Sequence, residues 1–126
     1  MSAPIPVLDD AAIARLLTDV DVPRLLRGMF ASLQAGAAVQ PPQGLVAFPQ
    51  TPGDVITYSG ILEPARAFGV KLSPYIATSG PPLITAWTLL MSLETGAPLM
   101  LCDSKRLTTE RTAATTAVAV DLLARA

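Results

Sequence analysis

Histidine is absent from this 126-residue chain, and cysteine occurs once, as Cys102. Without an imidazole and with a single thiol, the sequence offers neither a transition-metal ligand set nor an internal disulfide. Charge is also scarce: 15% of residues are charged against 51% hydrophobic, the net charge is -1, and no cationic run exceeds Lys105-Arg106. Nucleic-acid recognition needs a concentrated basic footprint, so DNA and RNA are not expected partners. No stretch approaches the roughly 18 apolar residues of a membrane span. The segment Met1-Ser2-Ala3-Pro4-Ile5 lacks the basic and apolar regions of a secretion signal, so a cytoplasmic protein is expected. Neither G-x-G-x-x-G nor a Walker sequence occurs, which removes the usual phosphate-cradling turns.

What is present suits one domain with one hydrophobic core. The low charge content suggests that another subunit or domain covers part of the surface. Val7-Leu8 reads as a short strand entering a helix capped by Asp9 or Asp10, with Ile13, Leu16 and Leu17 on one face and an end near Thr18-Asp19. A second helix follows, capped by Asp21, with Pro23 in its first turn and Leu25, Leu26, Met29, Phe30 and Leu33 at helical spacing until Gly36. From Val39 prolines and glycines divide the chain. Leu45 to Phe48 and Val55 to Tyr58 have strand composition and flank a turn at Thr51-Pro52-Gly53-Asp54. Val70-Lys71-Leu72 reads as a third strand before a loop from Pro74 to Pro82. Ile84 to Ser92 and Leu99 to Cys102 then form a hairpin around Glu94-Thr95-Gly96-Ala97. Leu107 to Ala124, free of Gly and Pro, reads as a long helix with Val118, Leu122 and Thr115 on its packing face. The expected class is α+β: a mostly antiparallel sheet of five or six strands, two opening helices and a long closing one.

Two cations stand in uncharged surroundings, Lys71 within Gly69-Val70-Lys71-Leu72-Ser73-Pro74 and Arg111 within Thr108-Thr109-Glu110-Arg111-Thr112-Ala113-Ala114. A cation set among apolar neighbours needs a counter-charge, and a small carboxylate ligand supplies one. The plainer alternatives are a solvent-facing lysine guarding a sheet edge and an arginine paired with Glu110 or Asp103. Arginine near a helix N-terminus opposes the dipole, and the amides around Thr108 and Thr109 would suit an anion. Cys102 reads as a small buried residue without chemistry, since no partner would activate its thiol. Trp87, Tyr58 and Tyr75 read as core or interface aromatics, with Tyr75 a candidate pocket wall.

Taken in order, Gly69-Val70-Lys71-Leu72, then Leu93-Glu94-Thr95-Gly96-Ala97-Pro98-Leu99, then Asp103 and Leu107-Thr108-Thr109-Glu110-Arg111-Thr112-Ala113-Ala114 resemble the ornithine cyclodeaminase and mu-crystallin family over nearly the whole chain. The resemblance implies a substrate-binding and dimerisation domain spanning 1–126, with a Rossmann domain that binds NAD or NADP expected downstream and not contained here. It implies hydride transfer between a nicotinamide and an amine- or imine-bearing carbon, with a small amino acid or imino acid as substrate. By the same likeness Lys71 holds the substrate carboxylate, Arg111 lies between substrate and cofactor, and Thr112 and Thr85 approach the cofactor. Where the family carries a substrate-gripping arginine, after Gln40-Pro41-Pro42, the matching substrate-binding position here is Gln43, whose neutral amide cannot replace a bidentate charge and so argues against ornithine itself as substrate. The resemblance further implies a homodimer whose sheets pair; the Rossmann domain it calls for is either a partner supplied in trans or a part lost through truncation of the reading frame or processing. The alternative is a dimerisation or carboxylate-binding module that kept the scaffold without the chemistry.

Overall fold

Two capped helices open the structure, and acidic side chains set where each begins. In the computed structural model, which describes residues 4–124, helix α1 (Asp10–Leu17) is capped by Asp9, whose Oδ1 accepts from the Ala12 amide at 2.8 Å. Helix α2 (Val22–Gln34) is capped by Asp21, which accepts from the Arg24 amide at 3.0 Å, and Pro23 occupies its first turn. Each cap satisfies an amide that the helix itself leaves free. The chain leaves α2 through Gly36 at φ 74, a left-handed conformation natural to glycine. Helix α3 (Lys105–Leu123) closes the described fold.

Between the helices lies one sheet: β1 (Val7–Leu8), β2 (Ala38–Val39), β3 (Gly44–Ala47), β4 (Gly53–Leu62), β5 (Ala67–Ile76), β6 (Leu83–Ile84), β7 (Trp87–Ser92) and β8 (Pro98–Asp103). The spatial order is β1-β8-β7-β5-β4-β2, with β3 also on β4 and β6 also on β5. Every pairing is antiparallel except β1 with β8. The fold is thus α+β, and its eight strands occupy the six lanes of that order.

The extra strands come from prolines. Residues expected to form one strand from Ile84 to Ser92 form β6 and β7, both paired with β5 in a single register, Tyr75 with Ile84 and Leu72 with Trp87. The interruption falls opposite Pro74, which has no amide hydrogen for the ladder. Pro74 does not end β5, which runs on to Ile76 against β4, so the expected loop begins later than Pro74. Pro41 and Pro42 likewise separate β2 from β3 along β4.

The buried centre is small: Ile13, Ala38, Ala67, Ala86, Cys102, Ala114 and Val118. Burying an aliphatic side chain such as Ile13 or Val118 contributes about 1.5–3 kcal/mol. Leu122, expected on the packing face of α3, is instead exposed, because Ala114 and Val118 make that contact. Helix α3 packs on α2, and an ion pair from Arg27 to Asp121 at 2.6 Å joins the two. Arg106 clamps α3 to α1 through Asp10, with Nε at 3.1 Å and Nη2 at 2.8 Å. On the sheet face away from Lys71, the paired Leu72 and Trp87 stay 48% and 38% exposed, and Val46 is 64% exposed. Apolar surface of this kind suits a covering partner.

Candidate functional site

Successive side chains of a strand alternate between faces, so strand register decides which residues meet. Tyr58 on β4 pairs with Lys71 on β5, Lys71 with Thr88 on β7, and Thr88 with Cys102 on β8. These four form one cross-strand row. Cys102 ends it fully buried, and burial raises its thiol pKa with help from Asp103, which leaves it an inert packing group. Above the row lies the first half of α3. Thr88 Oγ1 donates to Ser104 Oγ at 2.8 Å, and the Ser104 amide donates to the Ala86 carbonyl at 2.8 Å, so the loop before α3 is pinned to the sheet.

A cleft of about 540 Å³ opens between this row and helices α2 and α3. Tyr58, Lys71 and Thr88 line its sheet side, Ser104, Thr108, Glu110, Arg111 and Thr115 the α3 side, and Leu26, Met29 and Phe30 the α2 side. Lys71 and Arg111, forty positions apart in sequence, therefore share one cavity. Lys71 is half-buried on a strand flanked by β4 and β7, so it does not guard an edge. Its ammonium donates to Thr108 Oγ1 at 3.2 Å and lies 4.3 Å from the centre of the Tyr58 ring. Burial and, secondly, the charge of Arg111 push the Lys71 pKa down from 10.5. Among the described residues the ion pairs are Arg27–Asp121, Arg66–Glu94 and Arg106–Asp10, none of which involves Lys71 or Arg111. Two cations facing one space, neither in an ion pair among the described residues and with Glu110 as the one carboxylate lining the cleft, leave net positive charge that suits an anion.

The other sequence candidates are placed differently. Thr112 is exposed on α3, one residue from Arg111, and its hydroxyl donates to the Thr108 carbonyl at 2.7 Å. Thr85 lies exposed in the break between β6 and β7, and neither it nor Gln43 lines the cleft; Gln40 does. Tyr75 is also outside it. The free amides expected around Thr108 are absent, because α3 starts at Lys105 and the Thr108 amide already bonds the Ser104 carbonyl at 2.9 Å. Sequence reasoning missed Tyr58 as a site residue, because its place beside Lys71 comes from the pairing of β4 with β5, not from the β3–β4 turn at Thr51–Asp54. Among the described residues no group of His, Cys, Asp and Glu could hold a metal ion.

The sequence profile of the ornithine cyclodeaminase/mu-crystallin family matches residues 7–126. The chain belongs to this family. It is 55% identical over 127 aligned positions to the NAD(P)H-dependent anabolic L-arginine dehydrogenase DauB of Pseudomonas aeruginosa, an alignment covering all of this chain and 40% of that protein. Among solved structures, an archaeal alanine dehydrogenase dimer with bound NAD matches with a TM-score of 0.85 and 26% identity, over 96% of this chain and 38% of that one. The Thermococcus litoralis Δ1-pyrroline-2-carboxylate reductase, in complex with NADH and L-proline, matches with a TM-score of 0.85 and 27% identity over the same shares. The chain thus spans about two fifths of the length of these family members. These relatives depend on or bind nicotinamide dinucleotides, and they act on or bind amino and imino acids.

Proposed function

We propose that this chain is the substrate-binding half of an NAD(P)-dependent family enzyme acting on a small amino acid or cyclic imine. The observation that carries the reading is the shared cleft of Lys71 and Arg111, two cations without an ion-pair partner among the described residues. Lys71, held from below by the sheet, grips the substrate carboxylate. Arg111, exposed at the rim, reaches both that carboxylate and the cofactor pyrophosphate, with Thr112 beside it. Its guanidinium, in no ion pair among the described residues, and its position fit one edge of a dinucleotide. The glycine-rich phosphate turn does not occur in residues 1–126, so a Rossmann unit outside these residues supplies it.

When bound, the nicotinamide supplies or accepts the hydride. The chain's own contribution is orientation: a carboxylate fixed by two cations holds the neighbouring amine- or imine-bearing carbon at one place in the cleft. Leu26, Met29 and Phe30 exclude water from the α2 side. Gln43 offers no charge and lies outside the cleft, so recognition of the acid rests on Lys71 and Arg111. The exposed Val46, Leu72 and Trp87 face pairs with a second copy to give a homodimer, with sedimentation as its check.

The test combines purified chain with NAD(P)H and cyclic ketimines, or with NAD(P)+ and L-arginine or L-proline. No turnover is expected from the chain alone, and turnover is expected once a matching Rossmann domain is added. Robust turnover without a second polypeptide would overturn the division of labour. Carboxylate binding with no cofactor response even in the reconstituted mixture would instead identify a non-catalytic binding module.

A further inference from the structure

A lysine used to hold a ligand acid must stay ordered and charged before that acid arrives. The usual way to order an ammonium is a nearby carboxylate, which would neutralise the charge and compete with the ligand. Here the arrangement is different. Tyr58 and Lys71 are direct cross-strand partners, so their side chains rise from the same face with Cβ atoms about 5 Å apart. The Tyr58 ring centre is 4.3 Å from Nζ. Thr108 offers an oxygen at 3.2 Å, its own proton directed to the Ser104 carbonyl at 2.9 Å. An ammonium has three donors, so the remaining ones are available to the cavity. Apart from Lys71 itself, the charged groups facing this space come from α3, Glu110 and Arg111; Thr88 and the α2 residues Val22, Leu26, Met29 and Phe30 are uncharged.

We propose that Tyr58 is a positioning residue for Lys71: its ring face and the Thr108 hydroxyl seat the ammonium without cancelling its charge, leaving that charge for the substrate acid. A ring quadrupole attracts a cation yet carries no net charge. The consequence for substrate rests on the function proposed above; the ring contact itself does not. The expected phenotype follows from the ring rather than the phenol, so Tyr58→Phe retains it and Tyr58→Leu loses it.

Lysine occurs twice, at Lys71 and Lys105, which makes the contact directly visible by NMR of protein labelled at the lysine ε-carbon. Lys105→Arg assigns the two signals. In the wild-type chain the Lys71 ε-protons are expected upfield of those of Lys105 through the ring current; the displacement persists in Tyr58→Phe and vanishes in Tyr58→Leu. L-proline, titrated while following the same signal, is expected to bind about five-fold more weakly to Tyr58→Leu, the size of one cation–π contact, and normally to Tyr58→Phe. An unshifted Lys71 signal in the wild-type chain overturns the proposal even if Tyr58→Leu does not fold. So does a folded Tyr58→Leu that binds L-proline as the wild type does. If the ring-current displacement behaves as expected but neither L-proline nor L-arginine perturbs Lys71 in any variant, the carboxylate-binding function fails while the seating of the ammonium stands.

Discussion

Replacing Lys71 by methionine keeps the length and most of the apolar stem while removing the charge, and it separates a ligand-holding lysine from a structural one. Three contacts set the stability change. The charge-assisted bond to Thr108 at 3.2 Å and the Tyr58 ring contact are lost, together worth about 1–2 kcal/mol for a half-exposed group. Against this, the mutant no longer holds an ammonium partly out of water beside Arg111, the two effects that depress the lysine's pKa. The terms oppose each other, so the net change in unfolding free energy is expected within about 1 kcal/mol, a shift of about 5 °C or less in Tm for a domain of this size. Binding has no such compensation. Losing a charge-assisted bond to a carboxylate costs about 1.5–3 kcal/mol, or about ten- to hundred-fold in Kd. Thermal unfolding followed by circular dichroism and calorimetric titration with L-proline measure the two quantities on one preparation. A large fall in Tm with unchanged L-proline affinity would refute the reasoning, because it would make Lys71 a member of the fold and not of a site.

The depressed pKa of Lys71 gives a pH dependence of definite sign. Between the folded value and the ordinary 10.5 the unfolded chain holds the extra proton, so stability of the free protein rises as pH climbs through that window. Carboxylate binding needs the ammonium and weakens over the same range. Urea midpoints and L-proline affinities, measured in parallel with Lys71→Met as the control that abolishes both trends, check this. The glycines of the next cross-strand row supply a packing test. A Cβ on Gly69 would lie 2.7 Å from the Leu89 carbonyl oxygen, whereas one on Gly60 meets only the Val39 carbonyl at 3.6 Å. Gly69→Ala is therefore expected to destabilise by about 2 kcal/mol and Gly60→Ala by less than about 0.5 kcal/mol in urea unfolding.

The helices were largely legible because their signals are local. Asp9 and Asp21 cap as their spacing to the first helical turn requires, and Gly36 leaves α2 in the left-handed conformation that glycine favours. The start of α3 lies two residues before the expected Leu107: Asp103-Ser104 is a readable capping pair that sequence reasoning missed, and in the structure Asp103 Oδ1 accepts from the Lys105 amide at 3.0 Å while the Ser104 hydroxyl bonds Thr88. Strand existence was also readable, but lane sharing was not, since the effect of Pro74 on β6 and β7 depends on which residues it faces across the sheet. The cleft was half legible. Lone cations stand out against an apolar background in any reading of the chain, so Lys71 and Arg111 could be named. Tyr58 looked like an ordinary core aromatic, because only the pairing of β4 with β5 sets its ring beside Lys71.

Register is consequently the quantity on which the site depends. A slip of β5 by one residue against β4 and β7 would turn Lys71 to the apolar face now occupied by Leu72 and Trp87, and would bring a hydrophobic neighbour under Arg111. Two features oppose the slip. Gly69 sits where any side chain would strike the Leu89 carbonyl, so no neighbouring residue of β5 can take its place. Pro74 must stay opposite the break between β6 and β7, since elsewhere it would remove a ladder bond from a continuous stretch. Gly69 and Pro74 flank Lys71 at two and three residues' distance and touch neither the cleft nor each other's strand partner. They fix the charge in place by excluding the alternatives, which is why a strand rich in ordinary apolar residues can present a single lysine to one defined cavity.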